Sequence, residues 1–171
     1  AVTASARFTF TGSGYSPEGD VEREGGGSVD GVQRLELERA LAAADLANNA
    51  TIERRDGRWI VQGDPTEGAL LVAGGKAGLT PEVLTSRLPR VGEVPFSSER
   101  KLMSTVHRDT EHAGRDIVFT KGAPDVLLTR CTAEFVGNQR RPLTGERRSH
   151  ILQVNESLAG EALRTPGSCR A

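Results

Sequence analysis

Cysteine occurs only twice in the 171 residues, at Cys131 and Cys169, far apart and without the C-x-x-C spacing of a zinc or redox site. That excludes a disulfide framework, gives no support to structural zinc, and points to a reducing compartment. No apolar run approaches the roughly 18 to 20 residues that a bilayer-spanning helix needs; the longest candidate, ALLVAGG, is far shorter. The opening AVTASARFTFTG lacks a charged stretch followed by an apolar core, so it does not read as a signal peptide. Charge of one sign is missing too. A net charge of -1 excludes broad electrostatic capture of nucleic acid or anionic membrane, although a local basic pocket remains compatible with it.

Several familiar sites are also absent. A Walker loop needs G-x-x-x-x-G-K-[ST], but around Gly75-Lys76 the first glycine position holds Leu70 and the residue after lysine is Ala77. His107, His112 and His150 have no metal-ligand spacing, and no serine or cysteine has a recognisable base partner nearby. Asn49-Ala-Thr51 and Asn155-Glu-Ser157 fit a glycosylation pattern with nothing to place them in a secretory compartment. With 36% apolar and 26% charged residues, the composition is that of one soluble, cytosolic, globular domain.

What is present is a mixture of strand and helix signals. RFTFTGSGYSP reads as a short strand and a loop, and the polar, glycine-rich EGDVEREGGGSVDG as a longer loop. Apolar residues at helical spacing, Leu35, Leu37, Leu41, Ala44 and Ala47, predict a helix over about 30–48. ATIERRDGRWIVQG is a hairpin around Asp56-Gly57. Asp64, Pro65 and Glu67 announce a helix start, and Thr80-Pro81 announces another. VPFSSERKLMSTVHRD and GRDIVFTKG predict antiparallel strands joined by the polar turn DTEHAG. Helices follow from Pro124 and over about 143–163, where Thr144-Gly145-Glu146 supplies cap chemistry. No parallel crossover is demanded, so the fold class is α+β, a mostly antiparallel sheet flanked by helices.

Three short stretches carry candidate chemistry. In PFSSERKL, a tight turn sets Phe96 beside Lys101, an aromatic face and an ammonium that suit a base bearing phosphates; a core phenylalanine with a solvated lysine fits the same letters. In FTKGAPD, Lys121 leaves a strand, Gly122 allows close backbone approach, and a helix begins at Pro124; a simple strand-to-helix connector fits as well. In GDPTEG, Glu67 suits a capping box folded back on its own helix, or equally a carboxylate accepting from an exocyclic amino group.

Taken in order, GDPTEGALL, PFSSERKLMS and FTKGAPDVLLTRC closely resemble the nucleotide-binding domain of P-type cation-transporting ATPases, specifically the type II group of calcium and sodium/potassium pumps. FTFTGSGYSPEGDV resembles the segment that opens that domain, and the likeness runs over roughly residues 8–164. The resemblance implies a nucleotide site in which Glu67 lies near the adenine amino group, Phe96 stacks on the base and Lys101 sits at the base of the pocket. It further implies that Lys121 and Gly122 line the nucleotide and that Arg164, in EALR, lies near the phosphates. Where calcium pumps often carry an arginine, this chain has Ser98, so that phosphate-side contact is either missing or supplied by Arg100. After Arg164 the family continues with an apolar strand, whereas TPGSCRA reads as an altered or truncated tail over 165–171, set apart from a nucleotide-binding domain over 1–164.

The implied cofactor is ATP, as Mg-ATP in a longer parent, with ADP as product. The implied partners are the phosphorylation and actuator domains of the same parent, with no nucleic acid, no direct membrane contact and a monomeric state. Residues 1–171 contain neither DKTGT nor GDGxND. The resemblance therefore implies a domain that positions ATP and performs no catalysis by itself. An autonomous small ATP hydrolase and an interaction domain that keeps the fold without nucleotide are the competing readings.

Overall fold

The computed structural model describes residues 1–171. In chain order it comprises β1 (Phe8–Phe10), β2 (Val21–Arg23), α1 (Gly31–Leu46), β3 (Thr51–Arg55), β4 (Arg58–Gln62), α2 (Pro65–Lys76), α3 (Pro81–Arg87), β5 (Arg90–Ser97), β6 (Leu102–Arg108), β7 (Asp116–Gly122), α4 (Pro124–Arg130), β8 (Ala133–Val136), β9 (Gln139–Pro142), α5 (Gly145–Gly160) and β10 (Gly167–Arg170). A four-stranded sheet in the order β10-β7-β6-β5 forms the centre, and three two-stranded ribbons stand apart from it. Every ladder is antiparallel, which is the α+β class expected. No helix is long and apolar enough to cross a membrane.

Helix α1 is the organising element. Asp30 caps it by accepting from the Gln33 amide, as a short polar side chain does before a helical stretch. Leu37 and Leu41 pack with Phe8 and Ala77 on one side. Ala43, Leu46 and Ala47, further round the helix, meet Leu88, Ile117 and Phe119 from the sheet side. Small residues at these places let helix and sheet approach closely, and each buried Leu or Phe contributes about 1.5–3 kcal/mol. The helix also buries Glu36, which no apolar pattern foretells. Its carboxylate accepts from the Ser5 amide and hydroxyl and from the Gly137 amide, and these bonds hold its pKa below the usual carboxylate range against the opposing effect of burial.

Local chemistry explains most boundaries. Asp64 accepts from the Thr66 and Glu67 amides at the start of α2, and Thr144 accepts from the Arg147 amide at the start of α5. Thr80, by contrast, makes no side-chain cap at α3, where Pro81 alone marks the start. Arg148 of α5 donates to the carbonyls of Leu128 and Cys131, closing the otherwise open end of α4. Cys131 and Cys169 are free thiols, both half-buried.

Four strands escaped the sequence reading. β2 lies inside the segment expected to be loop, and pairs with β1. β8 and β9 form a hairpin around Gly137-Asn138. The fourth is β10. Residues 165–171 were expected to be a tail, yet Gly167–Arg170 pair antiparallel with Gly122–Phe119 and complete the central sheet. GSCR has almost no apolar pattern to betray a strand. It is held by ladder bonds, by the Ser168 hydroxyl on the Ala40 carbonyl, and by α4, whose Leu127 and Pro124 lie against Gly167.

Deleting residues 167–171 removes four paired positions and opens the β7 edge. At about one ladder bond per paired position and about 1 kcal/mol per bond the loss is about 4 kcal/mol, which lowers Tm by roughly 8–16 °C in a chain of this size. Thermal unfolding by circular dichroism checks this; an unchanged Tm would mean that β10 is outside the cooperative fold.

Candidate functional site

Most of the side chains singled out by sequence come to one end of the central sheet, where α2 begins. In the β5–β6 ladder Val94 pairs with Ser104 and Ser97 with Leu102, so Pro95 and Phe96 together oppose Met103. This is a β-bulge, a device that bends a strand and re-aims its side chains. Met103 pairs in turn with Lys121, and Lys121 with Ser168. Phe96, Met103, Lys121 and Ser168 thus form one row across the four strands. Phe96 is 62% exposed. A phenylalanine ring left open to water at a bulge has no role in the core, so the reading of Phe96 as a packed residue is excluded.

Lys121 is the opposite case, with only 7% of its surface exposed. Its Nζ donates to Glu67 Oε1 at 2.9 Å. The other carboxylate oxygen of Glu67 accepts from the Asn49 amide at 3.0 Å, while its backbone carbonyl accepts from Asn48 Nδ2 at 3.0 Å. Glu67 therefore does not fold back in a capping box. Asp64 performs the capping alone, freeing the Glu67 carboxylate to face the sheet. Asn49 reaches on to β5 through Glu93 and Arg90, so the Asn48-Asn49 pair stitches the end of α1, the start of α2 and the edge strand together. Sequence reading noted Asn49 only within a glycosylation pattern and passed over Asn48; the only signal for this role was their position just beyond a helix end.

The turn between β5 and β6 is held by the Lys101 amide on the Ser97 carbonyl at 2.7 Å and the Arg100 amide on Ser97 Oγ at 3.1 Å. Lys101 adopts a left-handed backbone with φ of 55°, an uncommon conformation for a lysine. Its carbonyl accepts from the Ala123 amide, so the turn leans on the start of α4. Gly122 is required here, for a reason other than the one inferred from sequence: a Cβ on it would lie 2.2 Å from the Lys101 carbonyl oxygen and 2.9 Å from Leu102 Cα. Protein backbone occupies the space that the missing side chain leaves.

The remaining candidates divide. Arg164 comes to the site, donating from Nη1 to Thr66 Oγ1 at 3.4 Å in the first turn of α2. Ser98 is exposed in the turn. Arg100 is turned away: its guanidinium donates to Ser104 Oγ at 3.1 Å, and Ser104 shares a bond with Thr120, on the face of the sheet opposite Lys121. It does not fill the place left by Ser98. Behind Lys121 stands one titratable group that sequence reading did not single out. Burial pushes the Asp45 carboxyl up to about 7, with the Lys121 charge pulling against it.

The arrangement is an open aromatic ring, a left-handed lysine at a turn, and a buried ammonium–carboxylate pair behind them. It offers a stacking surface, hydrogen-bond acceptors at Glu67 and cations at Lys101, Lys121 and Arg164. Gly122→Ala places a methyl against fixed backbone and should destabilise the chain by about 1–3 kcal/mol, read as a lower urea midpoint with an unchanged slope. A midpoint equal to wild type would show that the Lys101 turn yields freely.

Comparisons with known proteins give the family. Residues 36–171 match the family described as P-type ATPase, cytoplasmic domain N. The chain is 39% identical over 164 residues to the probable cation-transporting ATPase F of Mycobacterium tuberculosis, covering 95% of this chain and 17% of that protein. It is 37% identical over 161 residues to a calcium-transporting ATPase of Bacillus subtilis, covering 92% of this chain and 17% of that protein. The cation-transporting ATPase pma1 of Synechocystis is 35% identical over 162 residues, with 92% and 17% covered. The chain spans about a sixth of the length of these curated relatives. A family match over most of the chain, together with these identities, places it as a member of the P-type ATPase cytoplasmic N-domain family.

Proposed function

We propose that this chain is the ATP-binding unit of a cation-transporting P-type ATPase, on the cytosolic side of a membrane. It holds ATP by the adenine end and presents the γ-phosphate, with Mg2+, to an aspartate on a separate phosphorylation domain of the same parent protein. The observation that carries this reading is the exposed Phe96 ring in one strand row with the buried Lys121–Glu67 pair. Adenine has a flat face to stack and an exocyclic amino group to donate, and this row supplies a ring and a carboxylate acceptor. Stacking on an aromatic contributes about 1–3 kcal/mol. Lys101, at the base of the pocket, and Arg164 are the cations for the attached phosphates in this reading, Lys121 and Gly122 line the base, and exposed Ser98 adds a hydroxyl. The names of the relatives, cation-transporting and calcium-transporting ATPases, support a parent that moves a cation.

The work done on ATP is positioning. Bringing the γ-phosphate to a nucleophile on another domain converts a bimolecular encounter into a local one, an effect that can supply several kcal/mol. One stack, one amino contact and a few cations, after the cost of association, correspond to a Kd on the order of 0.1 to several mM. Such weak holding suits a monomeric unit that must release ADP each cycle.

Amide NMR titration of the chain with ATP, ADP and AMP tests the reading. The expected result is saturable shifts confined to the neighbourhoods of Glu67, Phe96–Lys101 and Lys121–Gly122, with Phe96→Ala weakening affinity about five- to hundredfold. A folded chain with no saturable shift up to roughly 10 mM ATP, an affinity no better than about 3 kcal/mol, would leave a scaffold that binds something else. Turnover of ATP by the isolated chain would favour an autonomous hydrolase instead.

A further inference from the structure

Asp45 occupies the last turn of α1 with its carboxylate turned to α2. A Cβ built on Gly74 of α2 would fall 2.2 Å from Asp45 Oδ2, and Oδ1 is buried without any hydrogen-bond partner. Gly74 lies seven residues, about two helical turns, beyond Glu67 and so on the same stripe of α2. The Asp45 carboxylate and the Glu67 carboxylate therefore look out along one seam between α1, α2 and the sheet, and Lys121 rises into that seam from β7.

An unpartnered carboxylate in such a place needs either a proton or a cation. The charged groups on the surrounding elements are mostly committed elsewhere. Lys76 of α2 donates to the Thr11 carbonyl. On α1 itself, Arg39 donates to Gly137 and Asn138, and Glu36 accepts from Ser5 and Gly137. Arg87 of α3 pairs with Glu111, and the electrostatic neighbours of Arg170 in β10 are Arg115, Asp109, Arg39 and Arg87. Lys121 is the charge that acts on Asp45, and its ammonium is held at Glu67.

We propose that Asp45 is a positioning residue for Lys121, a second anion that takes the ammonium when a ligand's amino group engages Glu67 and so keeps Lys121 docked in the site. The ligand half of this exchange rests on the nucleotide reading; the competition of Asp45 and Glu67 for one lysine does not. In the free chain Lys121 pairs with Glu67, and below about pH 7 Asp45 holds a proton. When an amino group donates to Glu67, Lys121 moves to Asp45 and that proton leaves to water. Binding then releases up to one proton, so affinity rises with pH up to about 7 and levels off above it.

The direct test follows the Asp45 side-chain carboxyl by carbon-13 NMR as pH is varied, with no ligand present. In wild type the midpoint is expected near about 7. Glu67→Gln frees Lys121 for Asp45 and should lower that midpoint by about one pH unit or more, whereas Lys121→Met should raise it. A midpoint that moves in neither folded variant overturns the proposal. The second arm titrates wild type and Asp45→Asn with adenosine, which carries no phosphate to titrate. Wild type should bind up to about tenfold more tightly at pH 8 than at pH 6, and Asp45→Asn equally at both; equal wild-type affinities overturn the ligand-driven exchange. Adenosine that fails to bind at either pH overturns the ligand-driven exchange, which rests on the amino group alone; the ATP titration decides the nucleotide reading, and the carboxyl midpoints decide the competition of Asp45 and Glu67 for Lys121.

Discussion

The hydrogen-bonded pair of Lys121 and Glu67 is the point on which the site depends. Lys121 is buried where the central sheet ends, and an ammonium in that position needs an anion. Glu67 supplies it only because Asp64 has taken over the capping of α2 and because Asn49 fixes the second carboxylate oxygen. Two apolar residues of the same volume would hold α2 to β7 at least as well. The ion pair instead fixes where an acceptor and a cation stand relative to the Phe96 ring.

The rest of the fold can be understood as support for that placement. α1 packs on the sheet through Ala43, Leu46 and Ala47 and ends in Asn48-Asn49, which lock the start of α2. The bulge at Pro95–Phe96 turns an aromatic outward from an edge strand, where an unpaired ladder would otherwise invite association. Gly122 lets the Lys101 turn close on the end of β7. Each device lies at a strand end or a helix start, where backbone groups are available and side chains can be aimed by a single residue.

Much of this was legible in the sequence. The helical spacing of Leu37 and Leu41, the Asp56-Gly57 turn, and the Pro65, Pro81 and Pro124 helix starts all appear where expected. Phe96, Lys101, Lys121, Gly122, Glu67 and Arg164 lie at one end of the molecule. What stayed hidden depended on contacts distant in sequence. β10 is a strand because β7 offers it an edge and α4 covers it, and GSCR has no pattern of its own. The direction of Arg100 is decided by Ser104 and Thr120, and the burial of Asp45 by the absence of a side chain at Gly74. Glu67 presented two chemically equal options locally, and its bonds to Lys121 and the Asn49 amide, both distant in sequence, exclude the capping box.

The central claim is that adenine lies on the Phe96 ring with its amino edge toward Glu67. Intermolecular nuclear Overhauser effects test it most directly, using the chain with phenylalanine alone protonated and ATP in saturating excess. The account predicts cross-peaks from adenine H2 and H8 to the Phe96 ring protons that vanish in Phe96→Leu. Cross-peaks to another phenylalanine, or none from a saturated complex, would contradict it.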